Sequence, residues 1–266
     1  MSSVWVQEVA PGLAPYLHRN VPNGCVEFRC LLGAALWVVG PQTRPVTEAL
    51  APGSRMVGLR FRPGAAAGLL GIPASEIAGH VLDAADLWGR AAVAVGERVA
   101  GSVDPGQAAA ALQEAVIARL AGADGPDRLV AQAVRLLIPG RVRGVGPAWA
   151  ALSVSEREFR RRCLFAVGMP PKALQRVLRF QGFLARAQVA LSRGASPAAA
   201  GLARLAADCG YADQAHLGRE CLRLAGVTPW VFLRQTEQSC GGTGHDHSVS
   251  CAPLLAAASA QPHTPG

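Results

Sequence analysis

Twice in its C-terminal half the chain repeats one layout, and that layout restricts the possible folds more than any other feature. An apolar-faced helical stretch is followed by a tight turn, a capping residue and a second helical stretch with a single apolar stripe. The first copy runs from Val145 through AWAALSVSEREFRRRCLF. Its support helix is expected to end near Leu152, with Ser155 at the N-cap and Glu158 three residues later as a capping box, so the second helix starts at Glu156. On that helix Phe159, Cys163 and Val167 share one stripe, while Arg157, Arg160 and Arg161, with Arg162 beside them, fan over the remainder.

The second copy is LARLAADCGYADQAHLGRECLRLAGVTP. Leu202, Leu205 and Ala206 give its support helix a buried side, Gly210 permits a left-handed turn, and Asp213 is placed to cap the next helix. Leu217 and Cys221, four residues apart, point inward, which leaves Gln214, Ala215, His216, Gly218 and Arg219 on the outer face. A support helix, a turn and a second helix with an exposed N-terminal face is the arrangement that enters the major groove of DNA. Two plainer readings stand beside it: the arginines as a solvated face, and His216 as a half-buried structural histidine.

Charge separates the halves. Residues 1–140 carry 11 Arg against 11 Asp and Glu, whereas residues 141–236 carry 15 Arg and Lys against 5 Asp and Glu. A neutral half joined to a strongly basic one is expected where one domain neutralises phosphates and the other does not. Lys172 is the only lysine, and Arg is the side chain whose fork matches guanine and phosphate in two-point contact.

The N-terminal region has another texture. From Val4 to about Phe61, short apolar runs (CVEFRCLL, ALWVV, MVGLRF) alternate with Pro, Gly and Asn and read as strands and turns. From Pro63 on, AAAGLLG, PASEIAG with Ser75 as a cap, Ala91–Ala100, Gln107–Leu120 and Asp127–Ile138 have helical spacing. The glycine-rich IPGRVRGVGP at 138–147 is the natural linker. After Gln235 the chain becomes small and polar with interspersed Gly and Pro, and order is expected to fade.

The expected fold is therefore α+β. A β-rich domain with trailing helices spans 1–125, an all-α double helix-turn-helix domain spans 126–237, and a disordered tail spans 238–266.

Several function classes lack their signatures. There is no G-x-x-x-x-G-K-[ST] loop, no G-x-S-x-G elbow and no H-E-x-x-H helix, so no enzyme activity and no cofactor are expected. Seven scattered cysteines without C-x-x-C spacing argue for reduced thiols. Cys240, His245, His247 and Cys251 are types that suit tetrahedral zinc, but their intervals fit no recognised zinc module, and no metal is assigned. No apolar run of about 18 residues and no secretory signal is present, so no membrane partner and a cytoplasmic location are expected.

The segments LSVSEREFRRRC, GMPPKALQRVLRF, LAADCGYADQAHLGREC and GVTPWVFLR, in this order and spacing, resemble the AraC/XylS-type DNA-binding domain over roughly residues 128–235. The resemblance implies seven helices, with a linker helix from about Pro171 to Leu191 holding two recognition helices in successive major grooves. It places Arg157, Arg160 and Arg161, and then Gln214, Ala215, His216, Gly218 and Arg219, at base edges or phosphates. Ser153 stands where that family has a turn glycine, and Cys163 and Cys221 replace its core aromatics.

PNGCVEFRCLLG, GPQTRP, MVGLRFRPGAAAGLLGIPASEI and DLWG resemble an N-terminal partner of this domain in actinobacterial-type regulators, which implies a β-rich, cupin-like sensor. Arg44, Arg60 and Arg62, beside Gly and Pro turns, are either an anion site or arginines that fix loops. Such a protein would bind double-stranded DNA, act as an activator or a repressor with RNA polymerase as partner, and answer to a small-molecule effector. The alternatives are a DNA-repair methyl acceptor with an AraC-type domain, for which Cys25 and Cys30 stand without further zinc ligands, and an interaction module without DNA binding.

Overall fold

The computed structural model describes residues 3–12, 16–138, 145–192 and 201–240. The chain divides into two compact units, Met1–Ala131 with Arg157–Pro170, and Gln132–Glu156 with Pro171–Gly266. Among the described residues no helix is long and apolar enough to cross a membrane.

The first unit is built on antiparallel strands. β1 (Ser3–Glu8), β2 (Tyr16–Asn20), β3 (Glu27–Leu31), β4 (Leu36–Val39), β5 (Val46–Leu50) and β6 (Arg55–Arg60) fall in the N-terminal stretch whose turns the Pro, Gly and Asn residues announce. A five-stranded sheet has the order β1, β6, β3, β4 and β7, the last being Val81–Asp83, and β2 pairs separately with β5. Helices α1 (Ala67–Leu70), α2 (Ala84–Trp88), α3 (Arg90–Ala100) and α4 (Pro105–Leu120) follow. Two expectations are corrected here. Strand β7 lies in a stretch read as helical, and Ser75 caps no helix but sits in a turn closed by the Glu76 N–H donating to the Pro73 carbonyl at 3.0 Å.

The two-residue period of β3 divides its side chains between two environments. Phe28 and Cys30 join Val57, Leu59, Leu36 and Val38 beneath Trp88, Ala92, Val99, Leu112 and Val116. Phe28 stacks on the Trp88 ring at 4.5 Å, and the guanidinium of Arg119 covers that ring at 4.8 Å. The intervening residues carry charge. Glu27 accepts from Arg60 at 2.6 Å and pairs with Arg29 at 3.1 Å, and Arg29 also reaches Glu48 at 3.1 Å and Asn20 at 3.0 Å. Glu27 and Arg29 are both buried, and a buried charge is tolerable only with such partners. Arg60 is thereby engaged by Glu27, its register partner across β3 and β6, so the contact ties two strands and fixes no loop.

Among the described residues seven helices follow, the number that the resemblance implied: α5 (Arg128–Leu137), α6 (Val145–Ala151), α7 (Glu156–Val167), α8 (Pro171–Ser192), α9 (Leu202–Asp208), α10 (Gln214–Ala225) and α11 (Pro229–Cys240). In the second unit Phe180 packs against Phe183 at 6.1 Å and Phe232 at 6.3 Å, among buried Leu174, Leu205, Leu217 and Leu233. Arg176 of α8 donates twice to Glu220 of α10, at 2.8 Å each, so helix α10 is tied to the long helix by charge as well as by apolar contact. Helix α11 continues past Gln235, where order was expected to fade, to Cys240. The tail beyond it, with His245, His247 and Cys251, lies outside the described residues, as do most of the residues assigned to the linker.

Candidate nucleic-acid interface

Between α6 and α7 the chain turns through Ser153 at φ 53°, which makes it the one described non-glycine residue with positive φ. This is the position where the family pattern has glycine, and an L-residue there carries a cost of about 1–2 kcal/mol. The turn is closed by Leu152 N–H to the Trp149 carbonyl at 3.2 Å and by Ser153 N–H to the Ala150 carbonyl at 3.1 Å.

Helix α7 then starts at Glu156, as the capping pattern requires. Phe159, Cys163, Ala166 and Val167 are buried, whereas Arg157, Arg160 and Arg161 are exposed. Glu158 has a role beyond the expected cap: its carboxylate accepts from Arg161 at 2.8 and 2.9 Å and from Arg162 at 2.6 Å. The hydrogen bonds from Arg161 and Arg162 hold the Glu158 carboxyl down at about 2. Arg162 also donates to Asp127 at 3.1 Å, which separates it from the three exposed arginines. A bidentate partner at i+3 fixes the rotamer of a long side chain without neutralising the other two.

The second copy is built as its sequence requires. Helix α9 ends at Asp208, the Tyr211 N–H returns to the Ala206 carbonyl at 2.9 Å, and Gly210 takes φ 74°. The Asp213 side chain accepts from the His216 N–H at 2.6 Å and caps α10. Leu217, Cys221, Leu224 and Ala225 are buried. Gln214, Ala215 and Arg219 are exposed, while His216 and Gly218 are half-buried. The His216 ring meets the Tyr211 ring edge-on at 5.3 Å, and its Nδ1 accepts from the Ala212 N–H at 3.3 Å. Part of the structural reading of His216 therefore holds within the outward-facing set.

Gly218 has no heavy atom within 4 Å of where a Cβ would stand. A mid-helix glycine costs about 0.5–1 kcal/mol relative to alanine, and here no neighbour in the fold requires it. Its bare backbone lies in the set assigned to nucleic acid. The sequence reading also left out Arg223, which is exposed one turn beyond Arg219; the i, i+4 spacing was the available signal.

Five cysteines among the described residues are shielded by position. Cys25, Cys30, Cys163, Cys209 and Cys221 are free and buried, and burial pushes the Cys25 thiol up to about 12 and that of Cys30 to about 11. Thiolate formation, which methyl transfer to sulfur would need, is disfavoured at both.

Comparison with known families gives two matches. Residues 149–235 match a helix-turn-helix domain, and residues 2–83 match a domain of unknown function, DUF6597. No curated protein matches the chain.

Proposed function

From a chain whose C-terminal domain is an AraC-type helix-turn-helix domain, and which thus regulates transcription by binding DNA, we propose sequence-selective recognition of an operator through α7 and α10. In this reading Arg157, Arg160 and Arg161 serve one groove. Gln214, Ala215, His216, Gly218 and Arg219 serve the next, with Ala215 and Gly218 offering apolar or backbone contact. The observation that carries it is the presence of two helices, each following a tight turn with a positive φ and each bearing exposed arginines, in the half of the chain that holds the positive charge.

The protein then works in the cytoplasm and acts on transcription with RNA polymerase as partner. The N-terminal domain, which combines a strand framework with a polar face of Glu27, Arg29, Asn20 and His18, takes a small effector. No catalytic reaction is assigned; the burial of Cys25 and Cys30 supports that choice over methyl transfer.

Selection of bound fragments from a random duplex pool tests the reading. A defined motif is expected, with affinity falling steeply with salt, each neutralised phosphate contributing a slope of about −0.9 in log–log form. Recovery of no motif, with weak and sequence-blind binding, would overturn it.

A further inference from the structure

Helix α7 lies in one compact unit with the N-terminal strands, and its contacts there are specific. The last turn of a helix leaves carbonyls without partners. In α7 the carbonyl of Leu164 is met by the Gly168 N–H at 3.1 Å, and that of Phe165 accepts from the Ala74 N–H at 2.7 Å, ninety-one positions earlier in the chain. Gly168, at φ 77°, closes the helix so tightly against this turn that a Cβ there would stand 2.6 Å from the Ala74 carbonyl oxygen and 3.2 Å from Pro41. At Gly64, φ 79°, a Cβ would stand 2.9 Å from Val130 and 3.4 Å from Val167.

A third contact is ionic. Asp127 accepts from Arg162 through one oxygen, while the other accepts from the N–H groups of Leu129 and Val130 at 2.9 and 3.1 Å and so caps α5. These contacts involve the buried residues of α7, its C-terminal end and Arg162, and leave Arg157, Arg160 and Arg161 exposed.

We infer that the turn Pro73–Glu76, Gly64 and Asp127 are positioning residues for DNA reading by α7. The part of the chain matched by the domain of unknown function, through Gly64 and the Ala74 turn, holds this helix together with Asp127 and sets how its arginines are presented. This rests on the operator reading above. Its consequence is selective: disturbing the turn impairs the base pairs served by α7 and spares those served by α10.

Two mild variants of the full chain test it. Ala74→Pro removes the N–H at the second position of a turn, where proline is favoured, and Asp127→Asn keeps the capping oxygen but weakens the ion pair. On the DNA motif selected by the unaltered protein, Arg161→Ala and Arg219→Ala first mark the base pairs that depend on each helix. Both mild variants are expected to lose protection at the α7 base pairs alone, with affinity lowered roughly 3- to 30-fold. Amide exchange in the free protein should rise along 159–169 and stay unchanged along 217–225. Phe28→Leu, a core change in the same unit, is the control for general destabilisation and should lower protection evenly. Even loss in all three variants, or no change in α7 exchange, overturns the inference and leaves the operator reading standing. Failure of the unaltered chain to select any motif sinks both.

Discussion

Glu158 holds the guanidinium of Arg161 in a two-point contact, accepting from Nε at 2.9 Å and from Nη2 at 2.8 Å, three residues apart on an exposed helix face. The pair gives the arginine one preferred direction before any nucleic acid arrives. Arg161→Ala should weaken binding to the selected DNA by about 1–3 kcal/mol and relax selectivity at one position. Glu158→Gln should separate the two properties: loss of a negative charge raises affinity for random duplex, while loss of the fixed direction lowers discrimination. Competition binding against selected and scrambled duplex measures both, and equal shifts on the two duplexes would count against the assignment.

Gly218→Ala should move stability and binding in opposite directions. With nothing within 4 Å of the added methyl, a helix-favouring residue replaces glycine and thermal unfolding should rise by about 0.5–1 kcal/mol of stability. DNA affinity should fall, because the methyl occupies space that a groove contact needs. A variant that melts higher and binds equally well would show that no close approach occurs there.

Glu27 makes the fold sensitive to acid. Burial pushes its carboxyl up, but the guanidiniums of Arg60 and Arg29, with hydrogen bonds from Arg60 and Asn23, outweigh that and hold it at about 2. A carboxyl depressed on folding contributes stability that is complete above its unfolded value of 4.5 and is lost as pH falls through about 2. His18 adds to the same slope at higher pH. Burial and the Arg29 charge lower its pKa from 6.5, so protonation below that value favours the unfolded chain. Glu27→Gln should flatten the pH dependence of the unfolding free energy in the acid window and cost about 3 kcal/mol near neutrality, because Arg29 and Arg60 lose their shared partner. Denaturant titrations at a series of pH values check it; an unchanged slope would remove Glu27 from the account.

Tyr211→Phe should stabilise. The hydroxyl is buried with no hydrogen-bond partner among the described residues, whereas the ring keeps Arg179 at 5.5 Å and the edge of His216. Removing an unsatisfied buried group gains about 1 kcal/mol, read as a higher melting temperature. A lower one would show that the hydroxyl is satisfied in solution.

The C-terminal elements were legible because their signals are local. The Asp213 cap and the Gly210 turn each act within a few residues, and α8, whose bounds the resemblance implied, starts at Pro171 and ends within one residue of the expected position. Ser153 takes the left-handed conformation that the family pattern implies at that position, although serine alone does not announce it. What escaped the sequence is long-range. Ser75 looks like a cap, yet the Ala74 N–H is taken by the Phe165 carbonyl, and a distant partner fixes the segment as a turn. Strand β7 is three residues long, too short for a period to appear. Glu158 satisfies a capping pattern whether or not it also grips Arg161, so its second role had no separate signature.

The contact of Asp127 with Arg162 closes a stretch of 35 residues, so the chain leaves the first unit at α5 and comes back to it at α7. Each unit is consequently made of two separate stretches of chain, and no single cut releases one whole from the other. A fragment begun at the helix-turn-helix boundary near residue 149 would carry α7 but neither Ala74 nor Asp127. Its behaviour would describe a helix without its seat, and borrowing this DNA-binding half for a chimaera means taking those residues along.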